Sequence, residues 1–335
     1  MRQLLKIIAI SLLALSSTYA QVIETDRGKI EFLGLKSWDA KTLLDSIRNL
    51  NPGQPIHACA AEMKNEFGFL EVSNVTHLKS WSDLSTMHSV ITVVEKSDGD
   101  KLKYLPSPPD SFEILDDYFE PSQVIAKNRM NFEAIINTYS LIESGHIDSA
   151  KTVLHFYGSD YESVKSYYDF MLNKKDLQDM NLALWILNND ANIHNRQVAL
   201  TILLNFSEYD ITWWTLLNIQ RYKNAKYRVA SSDVLRKLSE HPRPIDWTNS
   251  YLAIKSIING TNLWAFGTTL DALAKTKISS DLSDRILHDS SGLLISSLKA
   301  EHEGTRESAK IFVQQISGDT VLKTSTDCIQ WLEEF

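Results

Sequence analysis

The chain has 335 residues, 43% of them hydrophobic, and its 42 acidic side chains against 34 basic ones leave a net charge of −8. An acidic chain without a lysine and arginine stripe excludes nucleic acid as a partner, because phosphates need clustered cations. After the first twenty residues no run approaches the roughly 18 apolar residues of a membrane span, so no stable membrane insertion is expected once that segment is removed.

The chain opens with the pattern of an export signal. Arg2 and Lys6 precede an apolar core from Ile7 to Leu15, and Thr18-Tyr19-Ala20 offers small residues for cleavage after Ala20. Residues 1–20 are therefore read as a signal peptide, and 21–29 as an N-terminal segment. No cysteine follows that would carry a lipid anchor. Lys29-Ile30-Glu31-Phe32-Leu33-Gly34-Leu35 alternates polar and apolar residues and predicts a half-buried strand. Trp38, Leu43, Leu44 and Ile47 recur at helical spacing until Asn51-Pro52-Gly53. A second helix runs from His57 to Phe67 and stops at Gly68. Val72 to Leu78 predicts another strand, and Val90-Ile91-Thr92-Val93-Val94 a β-branched last one.

Strand, helix, helix, strand, strand over residues 30–97, with Gly34-Leu35 closing the first strand, Gly68-Phe69 closing the second helix and Val93-Val94-Glu95 ending the last, resembles a POTRA domain. That small module belongs to periplasmic and outer-membrane transport proteins. The resemblance implies a three-stranded sheet with two helices, and a second strand near Val72 to Leu78 that forms a free edge. It departs from the family in occurring once, with helices in place of a β-barrel, so a transport pore is not implied.

Residues 98–127 read as an acidic linker, broken by Ser97-Asp98-Gly99-Asp100 and Pro106-Ser107-Pro108-Pro109. Within it, Asp110 to Glu120 alternates acids with aromatic and aliphatic groups, a composition suited to docking on the helical region or on a partner. From residue 128 to 335 the spacing is helical throughout. Arg196, Arg228 and Arg306 each open a helix, the first two about 32 residues apart and the third two periods of about 39 further on. A fourth helix, around Leu263 to Lys275, lacks the arginine. Each has a helix before it: Leu177 to Leu187, Ile211 to Tyr222, Trp247 to Ile258, and Leu282 to Leu298. Helix pairs of this period, with a basic residue near the start of the second helix, resemble HEAT repeats. The expected fold class is thus a small α+β domain followed by an all-α helical-repeat solenoid, since one pair cannot bury its apolar face alone.

The titratable residues show no linear catalytic or metal-binding pattern. His57-Ala58-Cys59 points its candidates to opposite sides of a helix, His302-Glu303 lacks a second histidine, and Ser290-Ser291-Gly292 lacks the glycine of a nucleophile elbow. No catalytic residue, metal ligand or cofactor is assigned. The repeat arginines are expected to pair with acids or helix carbonyls of a neighbouring unit. Trp213 and Trp214 are adjacent and therefore about 100° apart on a helix, so one can reach a groove, but a solenoid helix sandwiched between neighbours buries more than one face and core packing is the favoured expectation. Cys59 and Cys328 are not brought together by any pattern, and Cys59 sits on a small, apolar helix face.

These features lead to an expected function: a non-enzymatic interaction adaptor or scaffold, exported to the periplasm of a Gram-negative bacterium or else secreted. It would engage protein partners, envelope components among them, through the solenoid surface and the free sheet edge. Val72, Asn74, Thr76, Trp213 and Trp214 are the candidate partner-binding residues. The alternative is an enzyme, hydrolase or lyase, with a site in the helical groove or between domains, marked by distant His, Glu and Asp residues converging on one pocket.

Overall fold

The computed structural model describes residues 20–54, 56, 59–78, 86–128, 130–318 and 322–334. All of the export signal except Ala20 therefore lies outside the described residues. A small mixed sheet at the N-terminus is followed by a mostly helical region.

The sheet has four strands, β1 (Gln21–Thr25), β2 (Gly28–Leu33), β3 (Phe69–Leu78) and β4 (Met87–Glu95), in the order β1-β2-β4-β3. This corrects the expectation of three strands. Gln21 to Thr25, read as an N-terminal segment, alternates polar and apolar residues and pairs antiparallel with β2, the turn closing on Gly28 at φ 100°. β2 runs parallel to β4, and β3 antiparallel to it.

Helices α1 (Ala40–Leu50) and α2 (Ala60–Glu66) connect β2 to β3. Asp39 starts α1 by accepting a hydrogen bond from the Thr42 amide, as a short acidic N-cap does. Leu43, Leu44, Ile47, Cys59 and Met63 from these helices bury against Ile30, Phe32, Ile91 and Val93 on one sheet face. Glu95, at the end of β4, accepts hydrogen bonds from the Lys36 and Ser37 amides and the Ser37 hydroxyl, fixing the chain as it leaves β2. Gly34 lies at that exit with φ +85°, where an added Cβ would stand 2.3 Å from the Val93 carbonyl oxygen. No L side chain fits there.

Two compact units divide the chain. One holds residues up to 102 with 255–267 and 283–335; the other holds 103–254 and 268–282. In the first, Leu33 and Val90 on the second sheet face pack with Ala300, Leu263 and Leu293, so the sheet is covered on both sides.

The linker is largely ordered. A 3₁₀ helix covers Lys96–Lys101 and α3 covers Asp116–Lys127. Between them residues 103–115 lie along the second unit as a strap. Leu105 N donates to Arg221 O, Ala191 N to Asp110 O, and the Phe112 amide to Asp190 Oδ1. Asn192 and Asn195 donate to the Phe112 and Glu113 carbonyls. The alternating segment thus docks within its own chain.

Helices α4 (Asn131–Glu143), α5 (Ile147–Phe156) and α6 (Tyr161–Leu172) precede the paired series. α7 (Leu177–Asn189) packs on α8 (Ile193–Ile202) and α9 (Asp210–Ile219) on α10 (Ala225–Leu238), and α11 (Tyr251–Ile258), α12 (Leu263–Lys275), α13 (Ser280–Leu298) and α14 (Glu303–Ser317) follow in chain order. α15 (Ser325–Glu334) follows and packs on α14.

The repeat arginines share one local geometry. Arg196, Arg228 and Arg306 each donate Nη1 to the carbonyl six residues back, of Asp190, Tyr222 and Ala300 respectively, just beyond the preceding helix. A cation at a helix C-terminus satisfies carbonyls that have no intrahelical donor and opposes the negative end of the dipole. Four residues before each arginine stands the N-cap: Asn192, Asn224 and His302. In α12 the cap is Asn262, which accepts from the Ala265 amide, and the arginine position is taken by the buried Phe266.

Candidate functional site

β3 is one edge of the sheet and spans ten residues. Among the described residues, no other segment hydrogen-bonds to its backbone on the side away from β4. Its register with β4 sets Val72 against Val93, Asn74 against Ile91 and Thr76 against Ser89. These three candidate residues therefore face the α1 and α2 side. Val72 packs on that core, Asn74 Nδ2 donates to Thr76 Oγ1, and Thr76 is exposed with its hydroxyl 3.0 Å from Ser89 Oγ. On the opposite side Ser73 Oγ donates to the Thr261 carbonyl, and Thr261 Oγ1 to Glu71.

The tryptophan pair lies elsewhere. Trp213 is fully buried, edge-on to Trp247, with Nε1 donating to the Ser207 carbonyl 2.8 Å away. It packs in the core. Trp214 is half-buried and donates Nε1 to the Asp246 carbonyl.

The structure also assembles a cluster that linear reading missed. Register places His77 of β3 directly opposite His88 of β4, and Lys29 of β2 opposite His88 on its other side. Glu31 follows on the same face of β2 and is wholly buried. Its Oε1 accepts the Glu301 amide at 2.6 Å and its Oε2 the His302 amide at 3.1 Å, while His88 Nε2 lies 2.9 Å from Oε2. A buried carboxylate needs such donors to offset its desolvation. The His302 ring stacks on His77 with centroids 3.8 Å apart and meets His88 edge-on at 5.7 Å. His302 Nδ1 also accepts the Thr305 amide, capping α14. Lys29 bridges Glu24 and Glu301 at the rim.

Lys29, His77, His88, Glu301 and His302 line an open groove of about 770 Å³ together with Glu303, Gly304 and Arg306, while Glu31 lies buried behind it. Burial, then the neighbouring His77, His88 and Arg306, push the His302 imidazole down to about 4 from its ordinary 6.5. Burial and His88 lower His77 as well. Two rings in van der Waals contact do not both carry charge easily. The stack does not make a ligand set, and among the described residues no group of three His, Cys, Asp or Glu could hold a metal ion. Cys59 and Cys328 are both buried and are not joined by a disulfide.

Comparison with known proteins gives no match to a family model, a curated protein or a solved structure.

The signals for the cluster were present but ambiguous. Glu31 is an acid inside an apolar strand, and His77 and His88 flank a hairpin. Only the register and the fold-back of residues 300–302 bring them together.

Proposed function

We propose that this chain is an exported, non-enzymatic interaction protein that binds protein partners through strand addition at β3 and through the surface of its helix pairs. The observation that carries the reading is the β3 edge, ten residues long and unpaired among the described residues. Natural edges of this length are usually blunted with lysine, proline or a bulge. Phe69–Leu78 contains no lysine or proline, and its one register shift, between Phe69 and Glu71, leaves the rest of the edge regular. A partner strand gains main-chain hydrogen bonds there. On the helical unit Leu182 and Trp185, one turn apart on α7, form an exposed apolar patch with Phe112 of the strap, which suits a second contact. The βααββ order of β2, α1, α2, β3 and β4 and the recurrent arginine caps support POTRA-like and HEAT-like assignments, and with the N-terminal signal these favour the periplasm.

The test is in-cell photocrosslinking from Leu70, which is exposed, in the otherwise native chain and in a Thr76→Lys variant. A protein adduct that falls to about a tenth when the edge carries the added charge is the expected result. No adduct from Leu70 or from Thr76 sinks the reading. Three histidines on one groove, with the buried Glu31 behind His88, favour a second reading, a hydrolase or lyase in which Glu31 orients His88 as a base. Turnover of any ester, peptide or glycoside in a substrate panel, abolished in Glu31→Gln, would carry it.

A further inference from the structure

The turns before α8, α10, α12 and α14 share one position, four residues before Arg196, Arg228, Phe266 and Arg306 respectively, at which the first three carry asparagine and α14 alone carries histidine. Asparagine caps at any pH, whereas histidine caps only while Nδ1 keeps its lone pair. His302 does more than cap. Its backbone amide is held by Glu31, its ring is stacked on His77, and its edge partner His88 touches the same carboxylate. One residue thus joins the start of α14 to β2, β3 and β4. We propose that the His302 ring, stacked on His77, is an acid-operated latch that holds turn 300–302 and the first turn of α14 on the sheet when neutral and releases them when protonated.

Charged and titratable groups face the ring from every element packed on it: His77 from β3, His88 from β4, Lys29 and Glu31 from β2, and Glu301, Glu303 and Arg306 from the turn and α14. Protonation of His302 removes the acceptor of the Thr305 amide and sets a positive charge against His77 and at the positive end of α14. Glu31 is engaged by two amides and by His88, and its contact with His302 is to the backbone amide rather than to the ring. The direction follows from linkage. The His302 ring titrates near 6.5 when unfolded and about 4 in place, so the open form binds more protons between those values and the latch weakens as pH falls through them.

The latch is tested by amide hydrogen exchange of the full chain at about pH 7.5 and about pH 4.5, corrected for the intrinsic rate, in wild type and His302→Asn. For wild type the expected result is an opening of residues 303–310 and of β3 about tenfold more frequent at the lower pH, with no comparable change in α7 to α10. His302→Asn, which keeps a cap of the kind its sister helices use, is expected to bring that ratio below about threefold. Equal protection of wild type at both values overturns the latch, as does a His302→Asn chain that keeps the wild-type ratio. If His302→Asn fails to fold, His77→Gln serves the same comparison, and an unchanged ratio there overturns it equally.

Discussion

At the scale of single residues the fold depends on a few positions where no substitute satisfies the same geometry. Gly34 is one. With φ +85° and the Val93 carbonyl 2.3 Å from any added Cβ, Gly34→Ala is expected to cost about 2–4 kcal/mol in urea unfolding, well above an ordinary helix glycine. Arg196 is another. It is 1% exposed, its guanidinium carbon lies 4.5 and 4.1 Å from the ring centroids of Tyr222 and Tyr227, and it donates to the Asp190 carbonyl. Arg196→Lys keeps the charge but loses the planar group that packs against both rings, and should lower stability by about 1–3 kcal/mol. Arg228→Lys, whose site is half-buried and for which no such ring pair is found among the described residues, should cost less by the same measurement. The arginines themselves were legible in the sequence as a spaced series. Their acceptor was legible only as a choice between acids and carbonyls, because the choice turns on where the preceding helix ends.

At the scale of elements, order and type of helix and strand follow from periodicity. The register of β3 on β4 and the course of the strap do not. β1 escaped the reading because five alternating residues beside an export signal carry little weight, and only its pairing with β2 makes it a strand. The strap has no periodicity of its own and takes its conformation from backbone groups at helix ends. Its anchor is Asp190, 1% exposed, which accepts from the Phe112 and Asn192 amides and from Asn195 Nδ2. Asp190→Ala strands those donors, and limited proteolysis is expected to cut the Pro106 to Pro109 region of the variant at least about tenfold faster than in wild type. Unchanged cleavage would show that Leu105 and Asp110 hold the strap without it. The histidine cluster belongs to this scale too, since each ring was visible in the sequence but the face it shares depends on three separate pairings.

At the scale of the whole molecule, the unit that holds the sheet draws on the beginning, middle and end of the chain, residues up to 102, 255–267 and 283–335. A fragment that stops at Leu102 would expose Leu33 and Val90 and leave the carboxylate of Glu31 without its two amides. Such a fragment is expected to bind a hydrophobic dye and lack a cooperative thermal transition, while the full chain shows one. Composition and charge gave no hint of this, because contacts between distant segments leave no periodic trace. The Glu31 contact has a consequence for how the protein is made. Its carboxylate is synthesised 270 residues before the Glu301 amide that satisfies it, so the sheet emerges early yet stays half-built until nearly the last residues arrive. A chain cut short near its C-terminus would then be betrayed at its N-terminus, where an unfinished sheet offers itself to proteases and to neighbouring chains.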